Sequence, residues 1–293
     1  MDHTTGLTTP MLKEMPVMAY KIISTIITDQ ADVDALNAAI ALASRMDAHL
    51  DIFAITVSHI ETGGFYMGAD AVLLADQTKD AIERRDKLEK WINAEMQGET
   101  VRWSLQSAAV QGPGLRDYIT RHLRFTDLIV TARVYPGNEE LPTIIEASMF
   151  NAERPVLMIP PGCEAPNDGG RILVGWNDGA EALSAVRHAL PFIGESAQTD
   201  VCIIDPPARG ADRSNPGGAI AQYLMRHGAK TLVDVLAKTE PDIAEMLLRH
   251  AREVGAQMIV TGAYGHSRLR EAVFGGTTRS LLELADRPIM MSR

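Results

Sequence analysis

The residues best suited to chemistry lie near the C-terminal end of this 293-residue chain, at Gly262, Gly265, Gly275, Gly276, Thr277 and Thr278. Gly262 and Gly265 follow a short apolar run of strand character. Gly275 and Gly276 precede a run of helical period, and nine residues separate the two groups. Glycine lets the backbone come close to an anion and adopt positive φ. A helix N-terminus adds unpaired N–H donors at the positive end of its dipole. Two such groups can close around a polyphosphate, although turns alone would also use these glycines. The spacing is neither that of a P-loop nor that of the dinucleotide-binding fingerprint. His266, Arg268 and Arg270 fall in the excursion; they suit phosphate neutralisation, but a solvated loop carries such residues as well.

Few other chemistries are on offer. A formal net charge of −10 argues against broad binding to nucleic acid or anionic membrane, whose phosphates the summed field repels. Cys163 and Cys202 are the only cysteines, which excludes a disulfide framework and a four-thiolate zinc site. The eight histidines lack protein-only metal spacing. Neither a signal-peptide pattern nor an apolar run of about 18 residues is present, so a cytoplasmic protein without membrane contact is expected.

The elements that must position the glycines come from the pattern of apolar residues. Strand-like runs at 21–28, 51–58, 101–110, 128–131 and 155–159 alternate with helix-period segments at 32–50, 70–96, 115–123 and 143–152. Residues 160–170 are dense in proline and glycine and read as a linker. Strands then recur at 171–176, 200–204, 230–237, 258–261 and 288–291, with helices at 180–190, 218–227, 241–254 and 278–285. The two halves share residues as well as order. Thr126-Asp127-Leu128-Ile129-Val130-Thr131-Ala132 parallels Ala256-Gln257-Met258-Ile259-Val260-Thr261-Gly262, and Arg154-Pro155 parallels Arg287-Pro288. Arg121-His122 and Arg249-His250 also fall at equivalent places. The chain therefore divides into an N-terminal extension (1–19, with Met11, Met15 and Met18), a first domain (20–160), a linker (161–170) and a second domain (171–293). Alternation of this kind predicts an α/β fold of two tandem five-stranded parallel-sheet domains.

The Gly-x2-Gly-x9-Gly pattern, after a fourth strand and before a last helix, resembles the ATP-binding signature of universal stress proteins. The resemblance covers nearly all of 20–293 as a tandem pair. It implies an adenine nucleotide alpha hydrolase-like, Rossmann-like fold and ATP as ligand, with Mg or Mn held chiefly by ATP oxygens. By position it implies backbone donors from Gly262, Gly265, Gly275 and Gly276 to phosphate, further contacts from Thr277 and Thr278, Tyr264 near the ribose, and Ile203 reading adenine through its backbone. Asn177 stands where the family has an acidic residue against the nucleoside, so that contact carries no charge here. Trp176 is read as core rather than as a base-stacking residue.

In the first half, Ala132, Tyr135 and Pro142 replace the glycines, so this copy is expected to be degenerate. The family's apolar last strand pairs domain with domain, which 156–159 and 289–291 suit within one chain. The expectation is an internal pseudo-dimer, with homodimerisation left open. The function implied is a nucleotide-dependent stress-response module with at most slow ATP hydrolysis and no assigned catalytic residue. The alternatives are a nucleotide-free scaffold for another small ligand or protein, and an adenylyl- or phosphoryl-transfer enzyme of the same fold group.

Overall fold

The computed structural model describes residues 19–58, 70–206, 215–263 and 276–293. The expected N-terminal extension with its methionines, apart from residue 19, lies outside them. The first half runs β1 (Ile22–Ile27), α1 (Val33–Arg45), β2 (His49–Ser58), α2 (Asp70–Glu95), β3 (Arg102–Gln111), α3 (Leu115–Leu123), β4 (Leu128–Ala132), α4 (Glu140–Phe150) and β5 (Val156–Ile159). The second half runs β6 (Arg171–Gly175), α5 (Ala180–His188), α6 (Leu190–Glu195), β7 (Gln198–Ile204), α7 (Gly218–Arg226), β8 (Thr231–Leu236), α8 (Ile243–Glu253), β9 (Met258–Gly262), α9 (Gly276–Leu284) and β10 (Ile289–Ser292).

All ten strands form one sheet in the order β3-β2-β1-β4-β5-β10-β9-β6-β7-β8. Within each half the neighbours are parallel. The halves meet where β5 and β10 pair antiparallel, with Met158 opposite Ile289, Leu157 opposite Met290 and Val156 opposite Met291. The expected internal pseudo-dimer is thus one continuous sheet, in which each half covers the exposed edge of the other.

Helices cover both faces, which explains why strands such as β4, with all five residues buried, read as nearly continuous apolar runs, broken here by Thr131 alone. One core gathers Leu36 and Leu42 of α1, Ile92 of α2, Val186 of α5, Ile193 of α6 and Leu224 of α7. The opposite core gathers Ile119 of α3, Ile145 of α4, Leu247 of α8 and Leu281 of α9. Each core passes through the β5–β10 joint, since Leu157 and Met290 belong to the first and Val156 and Met291 to the second.

Several boundaries differ from the sequence expectation; the helix expected over 32–50 ends at Arg45, and β2 begins at His49. The helix expected over 180–190 is two helices, because Pro191 lies in the first turn of α6 and the chain restarts at Ala189. The helix expected from 143 begins at Glu140. Pro142 is accommodated in its first turn, where N–H groups have no intrahelical partner, and the Asn138 side chain accepts the Leu141 N–H at 3.2 Å. The last helix starts at Gly276, two residues earlier than expected.

Residues 161–170 form neither helix nor strand and are fastened from both halves. Arg45 of α1 donates to the Pro166 carbonyl at 2.6 Å and stands 3.2 Å from Asp168. Gly162 N–H reaches Asp34 at 2.7 Å, while Gln257 makes two bonds to the Asn167 backbone.

Candidate functional site

From β6 the chain proceeds to β7 and β8 on one side and returns to β9 and β10 on the other. The strand order therefore reverses between β6 and β9, and such reversals open a crevice at the carboxyl ends of the strands. Gly175 is paired with Thr261 on β9 and Cys202 on β7, so the strand ends carrying Ile203 and Gly262 and the turn carrying Asn177 share one sheet edge. The structure brings these three expected residues together.

Gly262 has a packing reason of its own. A Cβ built there would stand 2.5 Å from the Ala182 backbone nitrogen and 2.7 Å from the Glu181 carbonyl carbon. The N-terminal turn of α5 thus lies against the strand end so closely that only glycine fits. This approach brings the helix N-terminus, with its unpaired donors, to the crevice. Helix α5 begins after Gly179, whose N–H is accepted at 3.0 Å by the Asn177 side-chain oxygen. That bond commits the Asn177 carbonyl to its own turn and leaves its amide NH2 to face outward as a donor. Asp178 takes φ +61° within the same turn.

Glu181 is the group that the sequence reading passes over. It sits in the first turn of α5, its Cγ 2.8 Å from the Cβ position of Gly262 and its Oε1 2.5 Å from that of Gly179. Oε1 is buried and has no hydrogen-bond partner among the described residues. An acidic residue in a helix's first turn is favoured by the dipole alone, so nothing in the sequence distinguishes this one from an ordinary surface carboxylate.

The Ile203 side chain is buried in the core at the end of β7, so any ligand contact from this residue falls to its backbone. Trp176 packs partly buried against the same core, as the sequence suggests. Gly276 is exposed, with no atom within 4 Å of a Cβ position, and Thr277 and buried Thr278 follow it into α9. This helix packs on α8, on the face opposite α5. Tyr264, Gly265, His266, Arg268, Arg270 and Gly275 lie outside the described residues. Among the described residues, no group of three or more His, Cys, Asp and Glu side chains is gathered as for a metal ion.

The matching edge of the first half is built differently. Asp32, fully buried, accepts from Thr28 N–H at 2.8 Å, Thr28 Oγ1 at 2.8 Å, Asp29 N–H at 3.2 Å and Tyr135 Oη at 3.1 Å. Asn138 donates onward to Thr28 Oγ1 at 2.7 Å and Tyr135 Oη at 2.9 Å. Burial pushes the Asp32 carboxyl above its ordinary range, and the donors around it pull it back. The Tyr135 hydroxyl is pushed up to about 12, first by burial and then by the nearby carboxylates. Tyr135, expected to obstruct a phosphate, is thus a structural member of this network.

A chain of two α/β halves, each with a strand reversal at its carboxyl edge and joined through antiparallel last strands, defines a tandem Rossmann-like protein. Residues 170–293 match the model of the universal stress protein family. The whole fold is shared with a universal stress protein from Archaeoglobus fulgidus DSM 4304, at TM-score 0.63 and 11% identity, over 93% of this chain and 98% of that one. A putative universal stress protein from Pseudomonas aeruginosa UCBPP-PA14 aligns at TM-score 0.58 and 19% identity over 94% of this chain and 93% of that one. Stress response protein NhaX of Bacillus subtilis (strain 168) is 36% identical over 59 residues, a stretch spanning 20% of this chain and 34% of that protein.

Proposed function

We propose that the second half binds ATP at the crevice between β6 and β9, and that the chain acts as a nucleotide-dependent regulatory module of the stress response. The observation that carries this reading is the meeting of Gly262, the N-terminal turn of α5 and the Asn177 turn at the strand reversal. There, backbone donors and a helix dipole converge where open α/β sheets hold ligands. In this reading Gly262, Gly265, Gly275 and Gly276 offer N–H groups to the phosphates. Thr277 and Thr278 add donors at the start of α9, the Asn177 amide and Tyr264 serve the nucleoside, and the Ile203 backbone meets adenine.

The unpartnered Glu181 oxygen would repel a bare triphosphate, so a Mg or Mn ion arriving with ATP suits it. ATP then works as a bound signal with at most slow hydrolysis. Calorimetric titration of ATP into the full chain, beside a Gly265→Val and Gly275→Val double variant, tests this. Binding by the parent and its loss in the variant are expected; a parent that gives no heat with ATP refutes the reading. Turnover of several per second would assign the chain to phosphoryl-transfer enzymes instead.

A further inference from the structure

The first half holds a cavity of about 280 Å³ at its own strand reversal, between the carboxyl ends of β1 and β2, the loop before α4, and Arg84 of α2. Ligand pockets usually span about 300–1,000 Å³, so this one suits a compact molecule and not a nucleoside triphosphate.

Its floor offers an anion little. The Thr28 hydroxyl, the Tyr135 hydroxyl and the Asn138 amide all donate inside the network that ends on Asp32. Pro136, also in the lining, has no N–H to give. The cationic side chain in the lining is Arg84, and one of its nitrogens already donates to the Val57 carbonyl at 2.7 Å.

Negative charge, by contrast, is concentrated. Asp29 and Glu140 line the cavity, and the Asp32 carboxylate, which does not line it, accepts from the lining residues Thr28, Asp29 and Tyr135. With Arg84 set against Glu140, Asp29 leaves the lining with one net negative charge. Asp29 is exposed and uses one oxygen to cap the Ala31 N–H at 2.9 Å. A concave site of one sign raises the local concentration of the opposite charge.

We infer that this cavity is a second, phosphate-free ligand site that takes a small organic cation, an amine of diaminoalkane size with an ammonium group directed to Asp29. The site is independent of ATP binding by the second half and stands or falls separately from it. The first half, degenerate as a triphosphate site, is on this view a site of opposite charge preference.

The test is titration of putrescine into the full chain, with the uncharged diol of the same chain length and inorganic phosphate as comparisons. Saturable putrescine binding at millimolar concentration or below is expected, with the diol at least fivefold weaker, roughly the worth of one partly exposed ion pair. Asp29→Asn keeps the cap to Ala31 and should weaken putrescine about five- to tenfold, while the heat of ATP binding stays as in the parent. Arg84→Met, which removes the competing cation, should bind putrescine as well as or better than the parent. Failure of putrescine to bind, equal binding of the diol, parent-like affinity in Asp29→Asn, loss of binding in Arg84→Met, or tighter binding of phosphate than of putrescine would each overturn the assignment.

Discussion

Replacing Gly262 by alanine probes the closest contact in the candidate site. The added methyl would sit 2.5 Å from the Ala182 nitrogen and 2.7 Å from the Glu181 carbonyl carbon. That is about 1 Å inside the usual contact distance of roughly 3.5–4.0 Å. Both atoms are backbone in the first turn of α5, so no rotamer change relieves the clash. The helix itself must move, and it is anchored by Ala182, Ala185 and Val186, each at most 2% exposed. Overpacking of this kind costs about 1–3 kcal/mol. Gly276→Ala is the control: nothing lies within 4 Å of its Cβ position, and it opens a helix. Alanine there should stabilise by about 0.4–1 kcal/mol through the unfolded chain. Urea denaturation of parent and both variants, compared at equal slope, measures the difference. A Gly262→Ala protein as stable as the parent would refute the argument that α5 dictates this glycine.

In the first half, Tyr135→Phe removes one of the donors that hold Asp32 ionised. A raised carboxyl pKa in the folded state means stability falls as pH rises through it, so the variant's loss should be larger at pH 7 than at pH 4; denaturation at the two values checks this, and equal losses would contradict it. Arg287 donates to the Ala251 carbonyl at 3.0 Å and to the Ala256 carbonyl at 2.6 Å. Arg287→Ala should cost about 1–3 kcal/mol by removing both bonds, which leaves the Ala251 carbonyl only the Ala256 N–H at 2.8 Å, with Arg287→Lys recovering only part, read from the denaturation midpoint. Arg45→Ala releases the Pro166 carbonyl and Asp168, and should speed proteolytic cleavage within 160–170 while cleavage elsewhere is unchanged.

The architecture was legible because parallel strands buried on both faces are apolar along most of their length, as β1, β4 and β9 are apart from Ser24, Thr25, Thr131 and Thr261. The residue-level repeat has physical content too. Asp127 accepts the Lys21 and Ile22 N–H groups at 2.7 and 3.0 Å, at the start of the strand pair that the repeat marks. Arg287 ties the end of α8 to the last strand, whereas Arg154, at the matching position, bonds the Ala152 carbonyl two residues before it. What escaped the sequence is what depends on distant residues. Tyr135 and Asp32 lie 103 positions apart and Asn138 and Thr28 lie 110 apart, so no local pattern announces their network. Gly262 could be read as a ligand glycine, but its crowding by α5 appears only when β9 and the start of that helix are set side by side. The break at Ala189 hid inside a continuous helical period, with Pro191 as its one visible sign.

The two halves of one duplicated architecture differ at their strand reversals, and the stoichiometry of ATP binding to the full chain in the presence of Mg tests that asymmetry most directly. One ATP per chain, abolished by Gly265→Val with Gly275→Val and retained in Tyr135→Phe, is the predicted result. Two ATP per chain, or none, would contradict it.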